Sequence, residues 1–448
     1  MAGKRTLNSG NLESLGAAVL AELLMEVSSG NAVIQRRLRL ALAASEGASE
    51  AAQEVRKRLA AIARSGTYVD ARKRKALVAE LDSQLQAISG PIADADPGLA
   101  LDLLVRFLQL GDGVMDRCSD STGAVIGVFW QAAASLGPIA SAAQLEPARL
   151  AEQVCDLLTD NGYGQFDQLI PAVAGALGEP GLRQLEQACR ERGASDGHVA
   201  LLQIAECRGD VDAYLAQFSA TQLSWPNTAA DVANHLLAAD RPEQALAVLD
   251  GAARGATTWH SPEWDLSRIA VLDVLGRGEE AQQLRWQSFR YTLSIPRLRD
   301  YLQRLEAFTD AEAEERAFLV AEEHAMPLLA LEFLVAWPAL PRAERFVIEH
   351  RQEWDGEAFE VYGPAAERLS ADHPLAAVVL LRAMVVFALS MGRAKRYRHA
   401  AEHLQTCEQL SARIDHWQGI ESHGSFMGRL REAFGMKWSF WQLIDRSI

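Results

Sequence analysis

The sequence predicts an all-α protein whose later part is a stack of helical hairpins. Three observations carry this. Alanine and leucine are frequent while aromatic residues make up only 7% of the chain, a mixture that favours helices over sheets, where β-branched and aromatic side chains pack better. Apolar residues recur at three- and four-residue spacing almost throughout, the period of an amphipathic helix. A short pattern also returns after 36 residues in the second half. With 448 residues, 49% of them hydrophobic, the chain can bury a sizeable core, and two to four domains or one long repeat array are expected.

Residues 1–90 read as a basic helical region. Leu15, Val19, Leu23 and Leu24 make one apolar stripe, and Leu77, Leu81, Leu85 and Ile88 another. Residues 1–75 hold 13 Lys and Arg against 7 Asp and Glu, whereas the rest of the chain holds 31 against 52. The cations concentrate at Arg56, Lys57, Arg58, Arg64, Arg72, Lys73, Arg74 and Lys75. If Asp70 caps the helix carrying Leu77, then Arg72 to Lys75 fill its first turns. That is the unfavourable end of the helix dipole for positive charge, at about 0.3–1 kcal/mol each before screening. Acidic side chains elsewhere in the chain are the expected relief, and an external anion or a phosphate backbone is the alternative.

Residues 91–195 read as a helical linker domain. Its clearest stripe is Leu99, Leu103, Leu104, Phe107 and Leu108, opened by Asp96 as a cap and Pro97 in the first turn. Residues 196–448 read as the repeat region. Asp240-Arg241-Pro242-Glu243-Gln244-Ala245 aligns with Gly276-Arg277-Gly278-Glu279-Glu280-Ala281, 36 residues on. This resembles the turn and second helix of a tetratricopeptide unit, whose period is about 34 residues. Ala245 and Ala281 take the small position where paired helices approach closely, and Ala233, Leu236, Leu249 and Ala252 suit packing positions in the first copy. The second copy departs at Ile269 and at Arg285, which stands where the first copy has Leu249. Gly209-Asp210 and Gly392-Arg393 look like turns of two further hairpins. One hairpin cannot cover its own apolar face, so neighbours must stack on it. Trp438, Phe440 and Trp441 are expected to close the last hairpin as an aromatic cap.

Several segments together resemble an uncharacterised bacterial family of long helical proteins. They are Asn11 to Gly16, Gly30-Asn31, Arg36 to Leu40, Lys73 to Leu77, Asp116 to Ser121, Arg396-Tyr397, Ala400-Ala401, His403-Leu404, Cys407, His423 and Lys437 to Leu443. The tail is also similar to that of some bacterial proteins bearing a SWIM-type zinc finger. The Cys-x-Cys and Cys-x-His pairs of that finger do not occur here, so the zinc module is not carried over. The resemblance implies a helical architecture and no particular reaction.

The sharpest catalytic string is His399-Ala400-Ala401-Glu402-His403. It matches the HxxEH pattern in which two histidines a helical turn apart hold zinc and the glutamate activates water. His399, Glu402 and His403 are therefore the candidate metal residues. A third ligand must come from the 45 residues after His403, where Glu408, Glu421, His423 and Glu432 are available and nothing selects one. The same helix has an ordinary apolar stripe in Tyr397, Ala400, Ala401, Leu404 and Ile414. His373 and His416 join the other late histidines without the close pairing of a structural zinc site. No GxxxxGK[ST] phosphate loop, GxSxG elbow or GxGxxG after a strand occurs. No catalytic residue and no cofactor are predicted.

The five cysteines, at 118, 155, 189, 207 and 407, are widely spaced and odd in number, which suits a reducing compartment. The first residues carry two cations but no apolar run, so no secretory signal is expected. Leu375 to Met391 is the most membrane-like stretch, but Arg382 lies near its middle and it falls short of about 20 residues. A buried helix is expected there. The formal net charge of −15 argues against a surface that binds nucleic acid throughout. The expected function is a non-enzymatic cytoplasmic scaffold or adaptor for a protein or peptide. Anion or nucleic-acid binding by the first 75 residues and zinc-dependent hydrolysis at the HxxEH string are the alternatives.

Overall fold

The computed structural model of the protein describes residues 7–192, 197–253, 261–306 and 308–445. Every regular element among them is a helix, as the alanine- and leucine-rich pattern requires. The one pairing of extended backbone is an isolated bridge between Val69 and Cys118. The chain divides into two compact units, Met1–Gln222 and Leu223–Ile448.

In the first unit the principal helices are α1 (Ala17–Ser28), α2 (Ala32–Glu46), α3 (Ala48–Ala63), α4 (Ala71–Ala87), α5 (Pro97–Leu108), α6 (Ala124–Ala142), α7 (Pro147–Leu158), α8 (Leu169–Arg192) and α9 (Gly197–Arg208). Their starts follow the caps legible in the sequence. The Asp70 carboxylate accepts from the backbone N–H groups of Arg72 and Lys73, and that of Asp96 accepts from Leu99 N–H. The stripes of α4 and α5 enter one continuous core that extends to α9. The stripe of α1 does not: Leu15, Val19, Leu23 and Leu24 are 40–47% exposed. A helix pattern sets which face is apolar, but only a neighbour can bury it.

Among the described residues one helix, α6, is long and apolar enough to cross a membrane by length and composition. Half of it is buried against α4, α5 and α8, as in the central helix of a packed core.

The second unit contains α10 (Pro226–Ala238), α11 (Pro242–Ala253), α12 (Pro262–Val274), α13 (Gly278–Thr292), α14 (Ile295–Leu302), α15 (Asp310–Glu322), α16 (Pro327–Ala336), α17 (Leu340–Glu349), α18 (Phe359–Leu369), α19 (Pro374–Ser390), α20 (Tyr397–Ser411), α21 (His423–Phe434) and α22 (Trp438–Asp445). Helices adjacent in sequence pack together through most of this series, and several also touch the next but one: α10 on α12, α16 on α18, α17 on α19 and α20 on α22.

The aligned turns have one geometry. Asp240 and Gly276, 36 residues apart, both take left-handed backbone with φ +57° and +71°. The next residue then bonds back by five, Arg241 N–H to Leu236 C=O and Arg277 N–H to Leu272 C=O, each at 2.9 Å. This 6→1 closure satisfies a helix-terminal carbonyl and stops the helix. Gly209-Asp210 and Gly392-Arg393 repeat it, with bonds to Ala205 and Ala388. Ala245 and Ala281 are fully buried, as the close approach of paired helices demands.

The membrane-like stretch is α19. Arg382, 6% exposed, lies over the rings of Trp417 and Phe426, 4.9 and 4.5 Å from their centroids, and donates to Glu421 C=O at 2.8 Å. The aromatic tail is buried in part. Phe440 and Trp441 pack inward, with Phe440 edge-on to Tyr397, whereas Trp438 is 73% exposed.

Candidate functional site

A cleft of about 480 Å³ is formed by α18, α19, α20 and the turn before each of α18 and α20. Its floor is apolar: Phe359 from α18, Met384, Phe387 and Ala388 from α19, and Ala400 from α20. Two glycines shape it. The backbone at Gly356 lies directly on α19, where an added Cβ would sit 2.1 Å from Ala383 O. At Gly363 a Cβ would meet nothing within 4 Å, so the missing side chain leaves the space open.

The rim is basic. Lys395, Arg396, His399 and His403 all line the cleft. The Arg396 guanidinium lies 3.9 Å from the Phe359 ring centroid, a cation–π contact. Among the described residues neither Lys395 nor Arg396 has an acidic partner within 4.0 Å. Arg393 and Arg398 stand beside them, paired with Glu357 at 3.8 Å and Glu402 at 3.1 Å.

The HxxEH string is thus split by its helix. His399 and His403, one turn apart, face the cleft. Glu402 is exposed and held by Arg398, and also by His399 Nδ1 at 3.3 Å, which keeps its carboxyl below the usual range. Of the candidate third ligands, Glu421 is engaged by Arg429. Among the described residues no three His, Cys, Asp or Glu side chains converge where they could hold a metal ion. His399, Glu402 and His403 are therefore neighbours without a third ligand brought to them. What the cleft offers chemically is an apolar floor with fixed positive charge at one edge.

Burial, followed by the proximity of His399, holds the His403 imidazole below its ordinary value of 6.5, and burial followed by Arg382 does the same to His423. In the unfolded chain both take up protons as the pH falls through about 6.5, whereas in the folded protein they resist until lower pH. Stability is thus retained above that value and lost below it, by at most about 1.4 kcal/mol per pH unit for each histidine. Urea midpoints measured from pH 7.5 to 5 should fall more steeply for the wild type than for His403→Gln/His423→Gln. Parallel curves would remove the histidines from the account.

Some cations of the first unit are paired with carboxylates of the chain. Arg56 meets Asp102 at 3.1 Å and Lys57 meets Glu54 at 2.8 Å. Arg58 grips both oxygens of Glu80, which also pairs with Arg36 at 3.0 Å. Arg74 donates to Ser119 C=O at 2.7 Å and to the Ser121 hydroxyl. Arg72, Lys73 and Lys75 are exposed and, among the described residues, have no acidic partner within 4.0 Å.

No catalytic motif of the sequence includes Phe359, Phe387, Lys395 or Arg396. The signal for the two cations was the run Arg393-Ala394-Lys395-Arg396-Tyr397-Arg398, four cations in six residues of an acidic chain. Phe359 and Gly363 carried none, because they reach the cleft only through the packing of α18 on α19.

No curated protein sequence matches the chain. The sequence model of the family of unknown function DUF6880 matches residues 2–197 and 188–443. Those two spans take in nearly all of the chain, which belongs to that family.

Proposed function

We propose that the protein is a non-enzymatic cytoplasmic adaptor whose second unit stacks tetratricopeptide-like hairpins and holds an acidic peptide by an apolar side chain. The observation that carries this reading is the cleft at α18–α20. Its volume of about 480 Å³ suits a few side chains, within the roughly 300–1,000 Å³ of ordinary ligand sites. Apolar burial supplies affinity there, and the unneutralised charges of Lys395 and Arg396 select a ligand carrying carboxylates beside the buried group. The equivalent turns 36 residues apart support the repeat reading, and five free cysteines suit a reducing compartment.

A phage-displayed peptide library selected on the full chain tests this. Enrichment of Asp or Glu beside Leu or Phe is expected. Selected peptides should bind Lys395→Glu/Arg396→Glu at least tenfold more weakly, a loss of about 1.4 kcal/mol or more. They should also be lost on Gly363→Leu, which puts a bulky side chain at a cleft-lining position that now has none. Peptides without acidic enrichment, or binding indifferent to both variants, would refute the proposal.

A further inference from the structure

The first unit contains a second concavity, which the reading above does not use. It measures about 280 Å³ and lies among α2, α3, α4 and the segment that bridges to Cys118. Four cations line it: Arg36 from α2, Arg58 from α3, Lys73 from α4, and Arg117. The single carboxylate lining it is Glu80. Glu80 is buried and held by both Arg58 and Arg36, so one negative charge faces two guanidinium groups. Among the described residues Arg117 donates only to main-chain carbonyls, those of Thr67 and Ile62, both at 3.3 Å, which orient its guanidinium without neutralising it. Lys73 has no acidic partner within 4.0 Å among the described residues. The lining therefore carries a formal excess of three positive charges in a chain whose net charge is −15. Ser65 and Thr67, which carry hydroxyls able to donate, also line it.

Concentrated positive charge costs stability unless something offsets it. Exposed lysines on a convex surface achieve this by hydration. Here the cations line one hollow, with Arg117 held by backbone carbonyls, Arg58 and Arg36 by a shared carboxylate, and Lys73 at its exposed edge. Fixed forks and an ammonium around one space are the arrangement that binds a compact dianion, because planar guanidinium groups match the oxygens of phosphate two at a time. The volume holds one phosphate with a small substituent. It does not offer the extended cationic track that a nucleic-acid backbone needs, and no aromatic side chain lines it for base stacking.

We propose that this hollow binds a phosphate monoester, with Lys73 and Arg117 as the principal charge partners and Arg36 and Arg58 supporting through Glu80. A soluble phosphate ester and a phosphatidic acid headgroup present the same group, and the experiment separates them.

The full chain is titrated calorimetrically at 50 mM NaCl with inorganic phosphate and with glucose 6-phosphate. In parallel it is sedimented with phosphatidylcholine vesicles with and without phosphatidic acid. Each measurement is repeated for Lys73→Glu and Lys75→Glu. Lys75 is on the same helix with the same charge but does not line the hollow, so Lys75→Glu controls for diffuse electrostatics. Saturable binding in either arm that weakens at least tenfold in Lys73→Glu and less than threefold in Lys75→Glu supports the proposal. The arm that responds identifies the source. Absence of binding in both arms overturns it, as does equal loss in the two variants. A phosphodiester oligonucleotide that binds when neither monoester nor vesicle does would overturn it in favour of nucleic acid.

Discussion

Gly356→Ala is expected to destabilise the second unit by about 3–5 kcal/mol, enough to unfold much of it, since whole domains are stable by only about 5–15 kcal/mol. Two penalties add. The residue has φ +79°, where a side chain costs about 1–2 kcal/mol. The new Cβ would also lie 2.1 Å from Ala383 O, 2.4 Å from Ala383 C and 2.8 Å from Met384 N. Those are backbone atoms inside α19, so no rotamer change relieves the clash. The helix would have to move, and with it the buried Leu380, Leu381 and Val385 on neighbouring turns. Overpacking in a fixed core adds about 1–3 kcal/mol, and more where backbone must shift. Gly428→Ala, exposed and in open space within α21, is the matched control and should stabilise by about 0.5–1 kcal/mol. Urea unfolding followed by far-ultraviolet circular dichroism reads both. A Gly356→Ala midpoint within 1 kcal/mol of wild type would mean that this turn does not rest on α19 as described.

The contrast between these two glycines shows how far the sequence can be read. Local rules worked where they are local. Asp70 and Asp96 cap because an oxygen two or three residues ahead of free N–H groups needs no distant partner. The repeated turns could be aligned because a left-handed residue and its 6→1 bond lie within six residues. Reading failed where a second element decides. The stripe from Leu15 to Leu24 has the same periodicity as that from Leu77 to Ile88, yet one is exposed and the other is core. The HxxEH spacing correctly placed His399 and His403 on one face, but whether that face meets a third ligand or a phenylalanine depends on α18, some forty residues earlier. The basic run at residues 56–75 looked like a single patch. A local pair with Glu54 and tertiary contacts to Asp102 and Glu80 divide it into paired cations and others, Lys73 among them, left with charge to offer.

Arg285→Ala should cost about 2–5 kcal/mol, the usual penalty for truncating a large buried side chain, and Arg285→Leu much less. At the aligned position of the preceding hairpin stands Leu249, fully buried. Arg285 is only 2% exposed and occupies the same kind of site. Burial opposes its charge, but hydrogen bonds to Asp273 and Asp300 outweigh that and hold the guanidinium above its ordinary pKa. Its Nε donates to Asp300 at 2.6 Å, Nη2 binds Asp273, and Nη1 reaches Gln282 at 3.3 Å. Alanine removes these bonds and leaves a void between α13 and its neighbours, so transfer and cavity penalties add. Leucine fills most of the void. The two carboxylates it would strand are 36% and 40% exposed, so water can solvate them, and Arg304 already pairs with Asp300. Leucine should therefore cost about 1 kcal/mol, the net worth of a hydrogen bond exchanged for water. The charged pair then serves less for stability than for register, because an arginine that reaches Asp273 on one side and Asp300 on the other fixes α13 against both neighbours. Guanidinium chloride would screen the pair, so urea is the denaturant of choice. If Arg285→Leu proves as costly as Arg285→Ala, the ion pair rather than the filled volume holds this hairpin, and the equivalence with Leu249 is one of position alone.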